Sequence, residues 1–164
     1  MKIYRLTSAD ATAFRDIRLE GLQAHPEAFG ASWEDEVAQS ETEFAARLDS
    51  AVVFGARSEG EAYLDGIVGI YGPTAAKTKH KAIIWGMYVR PGVRRSGIGA
   101  ALLREAIDYS VISIEELTLS VGANNDAAVA LYKSVGFKAY GLERRALKIG
   151  DIYYDGASMS LSLL

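Results

Sequence analysis

Cysteine is absent from this chain, which excludes disulfides, thiolate metal sites and a cysteine nucleophile. No apolar run approaches the roughly 18 residues that a membrane span needs. The first residues, Met1-Lys2-Ile3-Tyr4-Arg5-Leu6, lack the long apolar core of a secretory signal. These absences point to a cytoplasmic protein without a membrane partner. An excess of positive charge is also missing. The formal net charge is −3, against the basic footprint expected of a nucleic-acid binder. Arginines nevertheless gather at positions 90, 94, 95 and 104. A local basic spot on an acidic protein suits a small anionic ligand, and the acidic remainder would suit a cationic second substrate. Repeats, low-complexity segments and long linkers are lacking as well. The 164 residues, 49% apolar and 24% charged, therefore read as a single domain, 1–164, with one substantial core.

Periodicity predicts the elements. Lys2 to Leu6 reads as a strand. Ser8 caps a helix over about Ala9 to Ala24, where Ala13, Phe14, Ile17 and Ala24 recur near helical spacing and Arg15, Asp16 and Arg18 fall on a solvated face. His25-Pro26 ends it. Ser40-Glu41-Thr42-Glu43 matches a capping box for a second helix to about Leu48. Strands follow over Val52–Ala56, Gly66–Tyr71 and Ala82–Val89. The last is nearly all apolar, as a strand covered on both faces would be. A helix from Gly99 to Ser110, a strand over Leu117–Val121 and a helix from Asn125 to Val135 come next, the last closed by Gly136. Two closing strands, Phe137–Lys148 and Ile152–Leu163, meet near Gly150-Asp151. The order β-α-α-β-β-β-α-β-α-β-β implies an α/β (α+β) fold with a mixed, mostly antiparallel sheet flanked by helices.

Chemistry concentrates in Val89-Arg90-Pro91-Gly92-Val93-Arg94-Arg95-Ser96-Gly97-Ile98-Gly99-Ala100. A strand feeds this loop and a helix leaves it. A helix start offers unpaired N–H groups and the positive end of the dipole, glycines let a phosphate approach the backbone, and arginines add charged contacts. The loop is not a P-loop, because no Lys-Ser or Lys-Thr follows the second glycine. It also lacks the third glycine of a dinucleotide fingerprint. Taken alone it is a phosphate-binding helix start. Gly86, inside the apolar strand, marks either close packing or a bulge.

Arg94-x-x-Gly97-x-Gly99 resembles the signature of the GNAT superfamily of N-acetyltransferases, within a wider run from Val89 to Leu103 that looks like the family's pyrophosphate loop. A second block, Asn125-x-x-Ala128-x-x-Leu131-Tyr132-x-x-x-Gly136-Phe137, is similar to the family's following helix. The resemblance covers nearly the whole chain. It implies a GNAT-like fold and an acetyl-CoA-dependent N-acetyltransferase acting on a primary amine of a small molecule or peptide, without a metal; a homodimer is compatible with it. Carried over residue by residue, Arg94, Arg95 and the amides of Ser96, Gly97, Ile98, Gly99 and Ala100 hold the pyrophosphate. The bulged strand at Met87, Tyr88 and Val89 meets the pantetheine, and the Met87 N–H polarises the thioester carbonyl. Tyr132 protonates the departing sulfur, and Asn125 touches the cofactor while also capping its helix.

The general base is not visible. Family members often place a glutamate on the strand before the loop, and Ala82 to Tyr88 holds no carboxylate. Glu34, Asp35, Glu36 and His80 remain as candidates, although the acidic run reads equally as a solvated loop or helix start. Trp33, Glu34, Trp85 and Tyr88 could line an acceptor pocket. The missing carboxylate also suits a second reading, a non-catalytic acyl-CoA sensor with the same fold.

Overall fold

A computed structural model describes all residues, Met1–Leu164. Seven strands form one sheet in the order β1-β2-β3-β4-β5-β7-β6. These are β1 (Lys2–Arg5), β2 (Val52–Arg57), β3 (Gly66–Tyr71), β4 (Lys81–Val89), β5 (Glu116–Gly122), β6 (Lys138–Ile149) and β7 (Ile152–Ser162). All neighbours are antiparallel except β4 and β5. That parallel pair is bridged by a helix, α4 (Ile98–Ser110), as parallel strands require. The other helices are α1 (Ala11–Ala24), α2 (Trp33–Val37), α3 (Glu41–Ser50) and α5 (Asp126–Ser134).

The sheet divides the core in two. Ile98, Leu102, Leu103 and Ala106 of α4 and Tyr132 of α5 pack with Phe54, Val68, Ile70, Ala82 and Ile84 on one face. Phe14, Ile17 and Leu22 of α1 and Phe44 and Leu48 of α3 pack with Val53, Ile67 and Tyr88 on the other. Alternation along β2 and β3 feeds both faces, as a two-sided sheet demands. Phe14 and Phe44 meet edge to face, with centroids 5.8 Å apart, which locks α1 against α3.

Three local expectations change. Helix α1 starts after a tight turn at Ser8–Asp10, where the Asp10 carboxylate accepts the Thr7 N–H at 2.9 Å, so Ser8 is not its cap. The acidic segment forms a short additional helix, α2, with the Ser32 hydroxyl accepting the Asp35 N–H at 3.2 Å. Strand β4 is not covered on both faces throughout, since Ile83 is 40% exposed. The capping box is present, with Ser40 N–H donating to Glu43 at 2.6 Å and Glu43 N–H to Ser40 at 3.2 Å.

Register decides the shape of β4. Ile67 faces Tyr88 but Gly69 faces Trp85, so β4 carries one extra residue. Gly86 sits there at φ +65°, a bulge that glycine accommodates without strain. One extra residue inverts the side-chain alternation. Ala82 and Ile84 join the α4 face before the bulge, whereas Met87 and Val89 do so after it and Tyr88 turns toward α1.

Candidate active site

The parallel pairing of β4 with β5 covers only Lys81–Ile83 against Glu116–Thr118, although β4 continues to Val89 and β5 to Gly122. Beyond Ile83 the two strands part, and the β5-facing edge of β4 has no strand partner. The bulge lies on this free edge. A Cβ added to Gly99 would meet Leu131 Cδ2 at 3.0 Å and Met87 Cε at 3.4 Å. The bulged strand, the start of α4 and helix α5 therefore converge on one cleft.

The loop into α4 is shaped for an anion. Arg95 has φ +61° and Gly97 φ +85°, both left-handed, and a Cβ at Gly97 would meet nothing within 4 Å. The first backbone bond of the helix runs from Ala101 N–H to Gly97 O at 3.0 Å. The preceding N–H groups, Arg95 to Ala100, have no acceptor in the protein. Successive amides presented by left-handed residues at a helix start form a concave anion site. Ser96 turns its hydroxyl to the Val93 carbonyl, and Ile98 buries its side chain, so both contribute main chain to this cradle. Arg95 is exposed. Arg94 Nε donates to the Val89 carbonyl at 2.8 Å, its guanidinium lies 5.7 Å from the Tyr88 ring, and Nη2 stands 3.5 Å from His25 Nε2. It borders the cradle while tying the loop back to β4.

Tyr132 sits one residue beyond Leu131, is 7% exposed and stacks edge-on against Phe137 at 5.9 Å. Burial pushes its phenol up to about 12, which keeps it protonated at neutral pH. Arg57 Nε is the sole enclosed side-chain polar atom without a hydrogen-bond partner. The Tyr132 hydroxyl, which has none either, thus retains a path to solvent. Asn125 accepts the Ala128 N–H at 3.2 Å, the helix cap expected of it.

Acceptor-pocket expectations separate. Trp33 and Glu34 line a cavity of about 450 Å³ with Leu22, Phe29 and the β6 residues Leu147–Ile149. Trp85 does not line it. Its ring fills the space over Gly69, where a Cβ would lie 2.2 Å from the indole. Tyr88 is buried, with its hydroxyl donating to Glu20 Oε1 at 3.1 Å; burial first, then the Glu20 charge, raise its pKa. Its side chain belongs to the α1 core and only its backbone borders the cleft.

The base candidates also separate. His80 precedes β4, six residues or about 20 Å of strand from Gly86, at the wrong end of the sheet. Glu36 is 7% exposed and accepts Arg18 Nε at 3.0 Å, Arg18 Nη2 at 2.9 Å and Arg47 Nη1 at 2.8 Å. Burial alone would raise its pKa, but these hydrogen bonds and charges hold it below the ordinary value. It is an ion-pair anchor, not a base. Glu34 and Asp35 are exposed, and Glu34 alone of the four is on the cavity wall.

Sequence periodicity placed Arg18 on a solvated face, yet it is 6% exposed. The signal was present in Phe14, Arg18 and Leu22, each four residues apart, which share one side of a helix. Glu20 accepts a hydrogen bond from Arg90 Nε at 2.9 Å and another from the Tyr88 hydroxyl. Nothing in its spacing singles it out. No group of three or more His, Asp or Glu side chains is arranged to hold a metal ion, and no helix is long and apolar enough to cross a membrane.

The model of the acetyltransferase (GNAT) family matches residues 16–137. The N-alpha-acetyltransferase RimI of Mycobacterium tuberculosis is 44% identical over 61 residues, 37% of this chain and 37% of that protein. The [ribosomal protein bS18]-alanine N-acetyltransferase of Escherichia coli K12 is 32% identical over 114 residues, 66% of this chain and 77% of that protein. A solved structure from Salmonella typhimurium with its cofactor acetyl-CoA aligns at TM-score 0.81 and 19% identity, covering 100% of this chain and 94% of that one.

Proposed function

The chain belongs to the GNAT family of N-acetyltransferases, and from that premise we propose that it moves an acetyl group from acetyl-CoA to a primary amine by direct attack in a ternary complex. The observation that carries this reading is the convergence of the free β4 edge at its bulge with the acceptor-free amides of Arg95 to Ala100. Those amides and the Arg95 side chain fit a diphosphate. The cleft between β4 and β5 fits an extended arm, and Met87 N–H lies beside the bulge, where a donor polarises a carbonyl. When bound, the thioester supplies an acyl carbon activated toward nucleophiles.

The residues then divide the work. A neutral amine nitrogen forms its bond to the acyl carbon as the carbon–sulfur bond breaks. Tyr132, held protonated by burial, gives its proton to the departing sulfur. The surplus proton of the amine leaves through solvent, which restores the phenol. Amine deprotonation is assigned to water near the exposed Glu34 rather than to a buried carboxylate. The family's enzymatic character disfavours the sensor reading, because Tyr132 keeps the acid that a mere binding module does not need.

Acetyl-CoA binding to the wild type, Gly97→Ala and Gly97→Glu tests the cofactor assignment. Both variants bear the same left-handed strain, so the alanine form reports strain alone. The glutamate form is expected to bind at least about 10-fold more weakly than the alanine form, through repulsion in the cradle. Equal affinities would remove the pyrophosphate from this loop.

A further inference from the structure

Arg18 holds a donor that nothing in the protein uses. Its Nε and Nη2 are committed to Glu36 at 3.0 and 2.9 Å, while Nη1 makes no hydrogen bond in the protein and, unlike Arg57 Nε, is not sealed from solvent, in a side chain 6% exposed. A Cβ on Gly86 would stand 3.3 Å from this Nη1. The free nitrogen is therefore aimed at the bulge, one residue before Met87. Phe29 and Trp85 each lie 5.5 Å from the guanidinium and hold it in place, and Phe29 continues into the cavity wall.

Arg18 and Arg47 share the Glu36 carboxylate, Arg18 through two hydrogen bonds inside the protein and Arg47 from a side chain 28% exposed. The other nearby acid of α1, Glu20, is occupied by Arg90 and Tyr88. Glu36 neutralises Arg18 through two of its nitrogens, and the third, Nη1, remains able to give an incoming anion a short, charge-assisted hydrogen bond.

Resting on the acetyl-transfer reading above, we propose that Arg18 Nη1 anchors the carboxylate of the acceptor, so that the acceptor is a free α-amino acid. A carboxylate at about 2.8 Å from Nη1 puts its α-amine on the order of 5 Å from that nitrogen, in front of the bulge amide. A peptide N-terminus offers Nη1 a neutral carbonyl instead, a weaker acceptor than a carboxylate. The guanidinium also favours the neutral form of a nearby amine, the form that attacks. A polyamine brings further positive charge to a buried cation and is disfavoured, contrary to what the acidic composition suggests.

The test is thiol release from acetyl-CoA by the wild-type protein. The acceptors are the common L-amino acids, their carboxamides, their decarboxylated amines, spermidine and a short alanine-initiated peptide. At least one free amino acid is expected to exceed its own carboxamide and its own amine by 10-fold or more in kcat/KM. Arg18→Lys should erase most of that preference while the KM for acetyl-CoA stays within twofold. Should this variant fail to fold, the wild-type ratios decide by themselves. Parity among acid, amide and amine, or preference for the amide or peptide, overturns the carboxylate anchor and leaves the transferase reading standing. An absence of thiol release with every acceptor overturns both.

Discussion

The cleft beside the β4 bulge and the helical face across the sheet are built from different parts of the polypeptide. The cleft is largely main chain: a bulge at Gly86, a strand edge left free beyond Ile83, and amides from Arg95 to Ala100 without acceptors. The opposite face is side chain: a two-arginine, one-carboxylate cluster clamped among Phe14, Phe29, Phe44 and Trp85. Backbone sites depend on conformation and tolerate most neighbouring residues, so they suit a ligand common to many proteins. Side-chain sites depend on identity and suit discrimination among acceptors.

Glu36→Gln should show the largest effect, and on stability. It leaves Arg18 buried without its carboxylate, and breaking such a pair costs about 3 kcal/mol, measurable by urea denaturation. Because the native Glu36 pKa is lowered below its ordinary 4.5, the wild type keeps this contribution above that pH. It loses it as pH falls through the lower native value. The variant should lack that component of acid sensitivity, and an unchanged acid profile would mean that the cluster does not stabilise the fold.

Tyr132→Phe breaks the other side in a different way. It removes only the hydroxyl of a buried, stacked ring, so cofactor affinity and melting temperature should change little. Loss of a general acid predicts a drop of roughly 100-fold in turnover at saturating substrates. Unchanged turnover removes Tyr132 as the proton donor.

Asn125→Ala should be the mildest. Loss of the hydrogen bond to Ala128 N–H costs about 1 kcal/mol of stability, seen as a lower denaturation midpoint. If Asn125 also touches the cofactor, the acetyl-CoA Kd rises as well; an unchanged Kd confines it to capping and sharpens the contrast between main-chain and side-chain sites.

Much of the cleft could be read along the chain because it is local. The alternation of β5, the capping box at Ser40 and the hairpin turn at Gly150, φ +59°, are each set within a few residues. So is the pairing of Gly97 with a helix start. Even the Gly86 bulge was legible as one of two options, since glycine in a buried strand implies either a kink or a close approach. The helical face was less legible. Arg18 lay on an apolar stripe, but its charge suggested solvent, and only the partner that neutralises it makes burial affordable. That partner, Glu36, lies 18 residues away in an acidic run that resembled a solvated loop.

Sequence alone determined the seven strands, four of the five α-helices, the glycine loop before α4 and the family, because short-range sterics and hydrogen bonding dictate the local elements. Tertiary structure decided where β4 and β5 part, which acids remain free and which arginine nitrogen is left without a partner. Those outcomes depend on contacts between distant segments, and local spacing carries no record of which charge will meet which.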